Sequence, residues 1–158
     1  MPEQTIGNYR VQSTRYIPER HKDLLLIADP EETVLDAYIH DCNLFECVEN
    51  GSVLGVAAVL DLPDGSIELK NIAVHPRAQR GGIGSALLRF VFTWTGDHRL
   101  IVGTADVSSE ALAFYERNGF LRFDVITNFF VDRYPEPVFD NGRQCKDMIL
   151  LEWKGNRN

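Results

Sequence analysis

The chain has 158 residues, which suits one compact domain and is short for two. Hydrophobic residues make up 44% of it and charged residues 25%, the ordinary balance of a globular protein with one core. The net charge of −7 argues against nonspecific binding to nucleic acid or anionic membrane, because phosphate groups favour basic surfaces. A local group of amides and arginines can still bind a phosphate-containing ligand.

The cysteines and histidines predict neither disulfides nor a metal site. Cys42, Cys47 and Cys145 are an odd number without CxxC spacing, and the four histidines form no HExxH or similar pattern. The N-terminus lacks the basic and apolar regions of a secretory signal, and the longest apolar run, residues 53–60, is too short to span a bilayer. We therefore expect a cytoplasmic protein without a membrane partner or a metal.

The first half of the chain predicts a strand, two helices and three further strands. Residues 9–16 alternate loosely as a strand does, and residues 19–28 and 30–40 have helical patterns. Asp29 as the cap and Pro30 at the first position suit the start of the second helix. Asn50-Gly51 predicts a hairpin between strands 44–49 and 53–60, and turn residues at 60–65 precede a strand at 66–74.

Strands and helices alternate in the second half. Residues 81–84 begin an amphipathic helix, residues 100–104 form a short strand, and a helix over 108–117 ends at Asn118-Gly119. A strand over 120–130, a loop or hairpin tip over 133–142 and a strand over 148–153 follow. The order β-α-α-β-β-β-α-β-α-β-β predicts a single α/β domain over residues 1–158, with a mixed sheet and a core over 9–153.

The turn Q-R-G-G-I-G-S at residues 79–85 is the main candidate for ligand binding. It follows a strand and precedes a helix, so glycines let a ligand approach the backbone while the first helical amides point at it. This is the chemistry of a pyrophosphate site, to which Arg77 and Arg80 can add charge-assisted contacts. A tight strand-to-helix corner without a ligand is the alternative.

Two common nucleotide motifs do not match this turn. A P-loop requires a lysine after its last glycine, and no lysine follows these glycines. The dinucleotide fingerprint GxGxxG fails because Leu87 stands where its last glycine should be. A nucleotide-binding regulator is therefore disfavoured.

The residues around the turn resemble motif A of the GNAT family of N-acetyltransferases, V-x-P-x-x-[QR]-x-x-G-x-[GA]. The defining positions are occupied by Val74, Pro76, Gln79, Gly82 and Gly84. About thirty residues later, the segment A-L-A-F-Y-E-R-N-G-F at 111–120 resembles the A-x-x-x-Y-x-x-x-G-F segment of the same family. The predicted element order also fits this family over residues 9–153.

The resemblance implies acetyl-CoA as co-substrate, no metal, and a mixed, splayed sheet flanked by helices. In that fold the pantetheine arm pairs with the strand backbone near residues 72–74, and the amides of residues 80–85 hold the pyrophosphate. The implied cofactor-binding residues are Ile72, Ala73, Val74, Gln79, Arg80, Gly81, Gly82, Ile83, Gly84 and Ser85. Ser108 stands where many relatives carry an asparagine that contacts the cofactor, so it is a further candidate that can instead cap the helix or donate a hydrogen bond.

Acyl transfer to an amine requires a neutral nucleophile, a stabilised oxyanion and a protonated leaving thiolate. The resemblance assigns the oxyanion to a backbone amide near Val74 and the general acid to Tyr115. A phenol with a pKa near 10 and a thiol with a pKa near 8.5 are close enough for proton transfer. Tyr115 packing on the inner face of its helix is the alternative.

Glu68 matches the carboxylate that deprotonates the amine in many relatives, often through water; an ordinary solvent-facing acid is the alternative. In a regular strand, residues 68, 70, 72 and 74 share one face. Asn71 then lies on the opposite face and is a weaker candidate for orienting the substrate.

The segment N-F-F-V-D-R-Y-P-E-P-V-F-D-N-G at residues 128–142 resembles a run found in a group of uncharacterised bacterial family members. An aromatic wall with Asp132, Glu136 and Asp140 suits a cationic amine acceptor. The alternative is packing on its own domain or against the partner of a homodimer. The aromatic residues in question are Phe129, Phe130, Tyr134 and Phe139.

The sequence thus favours an enzyme that moves an acetyl group from acetyl-CoA to a primary amine by direct attack in a ternary complex. The acceptor is a small polyamine-like or aminoglycoside-like molecule, an amino acid derivative or a protein N-terminus. A non-catalytic acyl-CoA-binding module is the alternative, although Tyr115 and Glu68 would have no purpose in a pure binder.

Overall fold

A computed structural model describes residues 3–6 and 8–155 of the chain. The chain divides into two compact units, Met1–Gly96 and Asp97–Asn158. The prediction of one acetyltransferase domain over residues 1–158 stays a prediction. None of the helices in the described ranges is long and apolar enough to cross a membrane.

The first unit is an antiparallel sheet with three helices. The strands are β1 (Gln4–Ile6), β2 (Tyr9–Thr14), β3 (Asn43–Glu49), β4 (Ser52–Asp61) and β5 (Ile67–Val74), and they pair in that order. The helices are α1 (Pro18–Ala28), α2 (Glu32–Tyr38) and α3 (Ile83–Thr95), with 3-10 turns at Ile39–Asp41 and Pro76–Ala78. The predicted β3–β4 hairpin is confirmed, with Asn50 and Gly51 at φ of 50° and 80° as a primed turn requires.

The core of this unit lies on both faces of β4. On one face, α1 and α2 pack through Leu25 and Leu35 against Val56, all three fully buried. On the other face α3 approaches Gly55 so closely that a Cβ there would lie 2.9 Å from Ile83 Cγ2. A glycine at this position of the strand therefore lets the helix rest on the sheet.

The start of the second helix differs from the prediction. Helix α2 begins at Glu32, its N-cap is Glu31, and no side chain caps it. Asp29 instead ends α1, and its carboxylate accepts a hydrogen bond from the Tyr38 hydroxyl at 3.2 Å. The Asp29 carboxylate therefore binds Tyr38, which folding brings close, and does not cap the second helix as the local sequence predicted.

The second unit is a three-stranded antiparallel sheet with two helices and a small hairpin. Its elements are β6 (Leu100–Ala105), α4 (Ser109–Arg117), β7 (Leu121–Ile126), α5 (Phe129–Arg133), β8 (Phe139–Asp140), β9 (Arg143–Gln144) and β10 (Met148–Trp153). Strand β10 lies between β6 and β7, and β8 pairs with β9 across Asn141-Gly142. The predicted left-handed end of α4 is confirmed at Gly119, whose φ is 96°.

The strand predicted over residues 120–130 is shorter than expected. It ends at Ile126, and the next residues turn into the short helix α5 because Asn128 adopts a φ of 58°. The Asn128 N–H donates to the Asp147 carboxylate at 2.9 Å, which holds this turn. Phe130 is thereby buried against Ala105 and Cys145 of its own unit.

Candidate active site

The glycine-rich turn has the backbone of an open anion site. Arg80 and Gly82 adopt left-handed φ values of 68° and 84°, and α3 begins directly afterwards. The amides of residues 83–85 have no hydrogen-bond partner in the described part of the chain, whereas Ala86 N–H donates to the Gly82 carbonyl at 3.0 Å. A Cβ on Gly82 would meet nothing within 4 Å. Free helical amides beside open space fit a phosphate group.

Two hydrogen bonds hold the end of β5, one to this turn and one to β4. The Gln79 side-chain amide donates to the Val74 carbonyl at 3.1 Å. The His75 backbone N–H donates to the Leu54 carbonyl on β4 at 2.7 Å. The Gln79 side chain, which motif A singled out, is therefore bonded within the turn and shapes it.

The backbone of β5 presents alternate residues to its far edge. In an antiparallel ladder, pairs that exchange hydrogen bonds alternate with pairs that do not. The bond from His75 to Leu54 places Val74, the residue beside it, in a pair of the second kind. The N–H and C=O groups of Val74, and of Ile72 two residues earlier, are therefore directed away from β4. Those of Ala73 bond to β4, and its side chain is buried in the core.

Strand β5 contains a bulge that the sequence pattern did not reveal. Asn71 lies opposite Ala58, but Leu69 lies opposite the next residue, Val59. Strand β5 therefore has one extra residue there, Lys70, and its side-chain alternation is interrupted.

The bulge changes the face on which Glu68 lies. Glu68 now shares a face with Asn71, and Ile72 and Val74 lie on the other, so the expected common face of residues 68, 70, 72 and 74 is wrong. The Glu68 carboxylate is partly exposed and lies 3.5 Å from the Lys70 ammonium.

A buried polar group lies beside Glu68 on this face. The Asn71 side-chain amide donates to the Leu25 carbonyl at 2.9 Å and to the Tyr38 hydroxyl at 3.1 Å, so its nitrogen has partners inside the unit. The Lys70 ammonium lies 4.9 Å from the centre of the Tyr38 ring. Burial raises the pKa of Tyr38 and also that of Asp29, which accepts the tyrosine's hydrogen bond. The Asn71 nitrogen thus joins β5 to α1 and α2, whereas its buried Oδ1 has no hydrogen-bond partner among the described residues.

Tyr115 lies in the second unit on α4. Its ring is buried, and its centroid lies 5.4 Å from those of both Phe114 and Phe120 in edge-to-face arrangements. Its hydroxyl bonds to no other described residue. Burial raises the pKa of the Tyr115 phenol, so the group is protonated at neutral pH, as a general acid must be. Tyr115 therefore has the packing contacts expected of a structural tyrosine and also a hydroxyl that no described residue occupies.

Ser108 precedes α4 without capping it. Its hydroxyl donates to the Asp140 carboxylate at 2.5 Å, which ties the β8–β9 hairpin to the start of the helix. In the aromatic segment, Phe130 is buried in its own unit and Phe139 is 61% exposed. Packing on its own unit is therefore confirmed for Phe130.

Sequence reasoning missed a buried charged network, because its members are far apart in the chain. Glu46 on β3 is bonded to both His21 and Arg20 of α1, at 2.8 and 2.9 Å. The sequence signal that could have revealed the network was Glu46, an acid among the apolar residues of strand β3, because a buried charge needs partners. Among the described residues, no three acids, cysteines or histidines are grouped so as to hold a metal ion.

Comparison with known proteins identifies the class. Residues 40–122 match the family model described as an acetyltransferase (GNAT) domain. The uncharacterized N-acetyltransferase YvbK of Bacillus subtilis (strain 168) is 31% identical over 132 residues, which are 82% of this chain and 85% of that protein. The chain therefore belongs to the GNAT family of acetyltransferases.

Solved structures agree with this assignment. A GNAT family acetyltransferase from Elizabethkingia anophelis with acetyl-CoA bound has a TM-score of 0.86 and 34% identity, covering 94% of this chain and 99% of that one. The IAA acetyltransferase from Bacillus cereus ATCC 14579 has a TM-score of 0.83 and 34% identity, covering 92% and 99%. The predicted α/β fold class and the family resemblance are thereby confirmed.

Proposed function

We propose that the protein transfers the acetyl group of acetyl-CoA to a primary amine by direct attack in a ternary complex. The open start of α3 carries this proposal, because its free amides at residues 83–85 are a site for the pyrophosphate. Acetyl-CoA is bound in a relative that shares 34% identity with this chain.

Residues of the first unit support the binding of the co-substrate in this proposal. Gly82 leaves its approach side open, and Arg80 belongs to the same turn. Ile72 and Val74 direct their backbone groups to the far edge of β5, where a pantetheine amide can pair with them. Ser108, whose hydroxyl donates to Asp140 in the loop before α4, stays a proposed cofactor contact on the family resemblance alone.

The chemistry requires three proton or charge events, each with a candidate group. Glu68 accepts a proton from the attacking amine, directly or through a water molecule. The Val74 N–H stabilises the negative charge that develops on the thioester oxygen. When the bond between the acetyl carbon and the CoA sulfur breaks, Tyr115 donates its proton to the leaving thiolate. The new bond between the acetyl carbon and the amine nitrogen remains in the acetamide product.

A primary amine is the acceptor class that suits the charge of the protein. The chain carries a net charge of −7, and Asp132 and Glu136 are exposed in the aromatic segment. These carboxylates attract a cation before it loses its proton at Glu68.

Amine-dependent release of CoA tests the proposal. The purified protein is mixed with acetyl-CoA and, in turn, spermidine, an aminoglycoside and an amino acid amide, and free thiol is measured. We expect release above the hydrolysis rate with at least one amine. Release equal to hydrolysis with every amine, despite tight acetyl-CoA binding, would favour a binding module instead.

Tyr115→Phe separates catalysis from packing. Removing only the hydroxyl leaves the ring contacts intact, so we expect kcat to fall by about 10²- to 10⁴-fold while the Kd for acetyl-CoA stays nearly unchanged. Tyr9→Phe removes a phenol on β2 and serves as the matched control, with unchanged kcat. A parallel loss of binding and turnover in Tyr115→Phe would show that the tyrosine is structural.

A further inference from the structure

The second unit contains a cavity that is lined by none of the residues assigned to the proton transfers or to the oxyanion. Its volume is about 350 Å³, and it is lined by Asp106, Val107, Arg143, Gln144 and Lys146. This volume is at the lower end of the range of small-molecule sites, so it suits a ligand of a few heavy atoms.

The cavity has an excess of positive charge on an acidic protein. Arg143 and Lys146 form no ion pair with any residue in the ranges 3–6 and 8–155, and the Gln144 side chain makes no hydrogen bond there. Asp106 contributes the single carboxylate, so the lining carries one net positive charge. Asp140 lies opposite Arg143 in the β8–β9 pair but forms no ion pair with it, so both cations of the lining are available to a ligand.

The backbone holds this lining in place. The Asp106 carboxylate accepts the Lys146 N–H at 3.2 Å, and the Asp106 N–H donates to the Asp147 carbonyl at 3.0 Å. Between the lining residues, Cys145 is buried in the apolar cluster with Phe130, which anchors this stretch of backbone to the unit. The backbone of the lining is therefore already ordered, and ligand binding has to order only the exposed side chains of Arg143 and Lys146.

We propose that this cavity binds a small carboxylate through Arg143 and Lys146, with Gln144 as a further donor. A guanidinium matches a carboxylate with two parallel hydrogen bonds. One net positive charge balances a monoanion, whereas a phosphate dianion would bring excess negative charge next to Asp106. The carboxylate belongs either to the amine acceptor itself or to a separate small molecule.

Titration of the full chain with butyrate, followed by backbone amide NMR, tests the site. We expect shifts at residues 106–107 and 143–146 and a Kd in the millimolar range, with the neutral isostere butyramide binding at least fivefold more weakly, roughly the effect of one ionic hydrogen bond. Inorganic phosphate should bind more weakly than butyrate. Shifts confined to other residues, or equal affinity for butyramide, would overturn the proposal.

Matched double variants test whether Arg143 and Lys146 themselves bind butyrate or whether net charge is sufficient. Arg143→Gln with Lys146→Gln should weaken butyrate binding by roughly tenfold or more, because both ionic donors are lost. Arg122→Gln with Lys154→Gln removes the same charge elsewhere in this unit and should leave the affinity within about twofold, since only screened long-range attraction changes. Asp106→Asn keeps the acceptor for the Lys146 N–H and should tighten butyrate binding. Equal losses in the two double variants would mean that net charge alone is responsible.

Turnover then distinguishes the two sources of the carboxylate. If the acceptor carries it, the Arg143/Lys146 double variant raises KM for β-alanine and leaves KM for β-alaninamide unchanged. If it belongs to a separate molecule, KM for both amines is unchanged and butyrate still binds in their presence. The NMR binding test requires no acetyl transfer, so a failure of the proposed activity would not be mistaken for a failure of this site.

Discussion

Glu46 shows how a single buried residue organises the first unit. Its two oxygens accept bonds from His21, Arg20 and, at 2.7 Å, Gln12, so the acid joins α1, β2 and β3. The His21 Nδ1 accepts the Ile17 N–H at 3.0 Å, which places the imidazole hydrogen on Nε2, facing Glu46. Burial alone raises the pKa of Glu46, but the hydrogen bonds from His21, Arg20 and Gln12 outweigh it and lower the pKa to about 2.

The lowered pKa predicts loss of stability in acid. A carboxylate with a folded pKa of about 2 and an unfolded pKa near 4.3 stabilises the fold above pH 5, and this stabilisation is lost as the pH falls towards 2. The difference corresponds to about 3 kcal/mol. Glu46→Gln should therefore lower the free energy of unfolding at pH 7 and flatten its fall between pH 5 and 2, as measured by urea denaturation.

The exposed Glu116 provides the control for this prediction. It pairs with Arg122 at 3.0 Å on the surface, where ion pairs contribute little, so Glu116→Gln should keep the wild-type pH profile. If Glu46→Gln also keeps that profile, the network does not determine the acid stability.

At the scale of elements, the sequence predicted those features that depend on neighbouring residues. It did not predict the features that depend on residues far away in the chain. The Asn50-Gly51 hairpin and the glycine start of α3 follow from backbone preferences of a few neighbouring residues. The bulge at Lys70 depends on the register against β4, and α5 depends on Asp147, nineteen positions from Asn128. The motif residues of the candidate site were named from the sequence, whereas the face of Glu68 required the paired strand.

The packing of α3 on β4 predicts a strict need for glycine at position 55. A Cβ there would meet Ile83 Cγ2 and Leu87 Cδ1, each at 2.9 Å, and the Ala73 carbonyl at 3.3 Å. Gly55→Ala should therefore lower the free energy of unfolding by about 1–3 kcal/mol through overpacking. It should also weaken acetyl-CoA binding, because the start of α3 moves.

Gly81→Ala is the matched substitution, since its new Cβ would lie at an ordinary 3.4 Å from the Ala78 carbonyl. We expect its unfolding midpoint to stay near that of the wild type in the same urea titration. Wild-type stability in Gly55→Ala would mean that the helix accommodates the methyl group without cost.

At the scale of the whole molecule, an acidic protein must bind a strongly anionic co-substrate. The chain has 16 basic and 23 acidic residues, so its overall field repels acetyl-CoA. We therefore expect the affinity to come from short-range contacts, chiefly with the free amides at the start of α3 and with Arg77 and Arg80. Binding should consequently be selective for a ligand that also fills the pantetheine edge of β5.

Thermal unfolding with and without acetyl-CoA measures this selectivity on the intact protein. Ligand at a hundred times its Kd adds about 2.7 kcal/mol, which at this chain length raises Tm by roughly 5–10 °C. ATP and NAD also carry phosphates but lack pantetheine, so neither should raise Tm comparably.

Gly82→Glu should abolish the rise in Tm with acetyl-CoA, because a carboxylate would occupy the open side of the turn. Gly65→Glu adds the same charge at a similar φ of 89° in open space and should keep it. A full rise in Gly82→Glu would place the pyrophosphate away from this turn, and no rise in the wild type at millimolar acetyl-CoA would leave the turn as a structural corner.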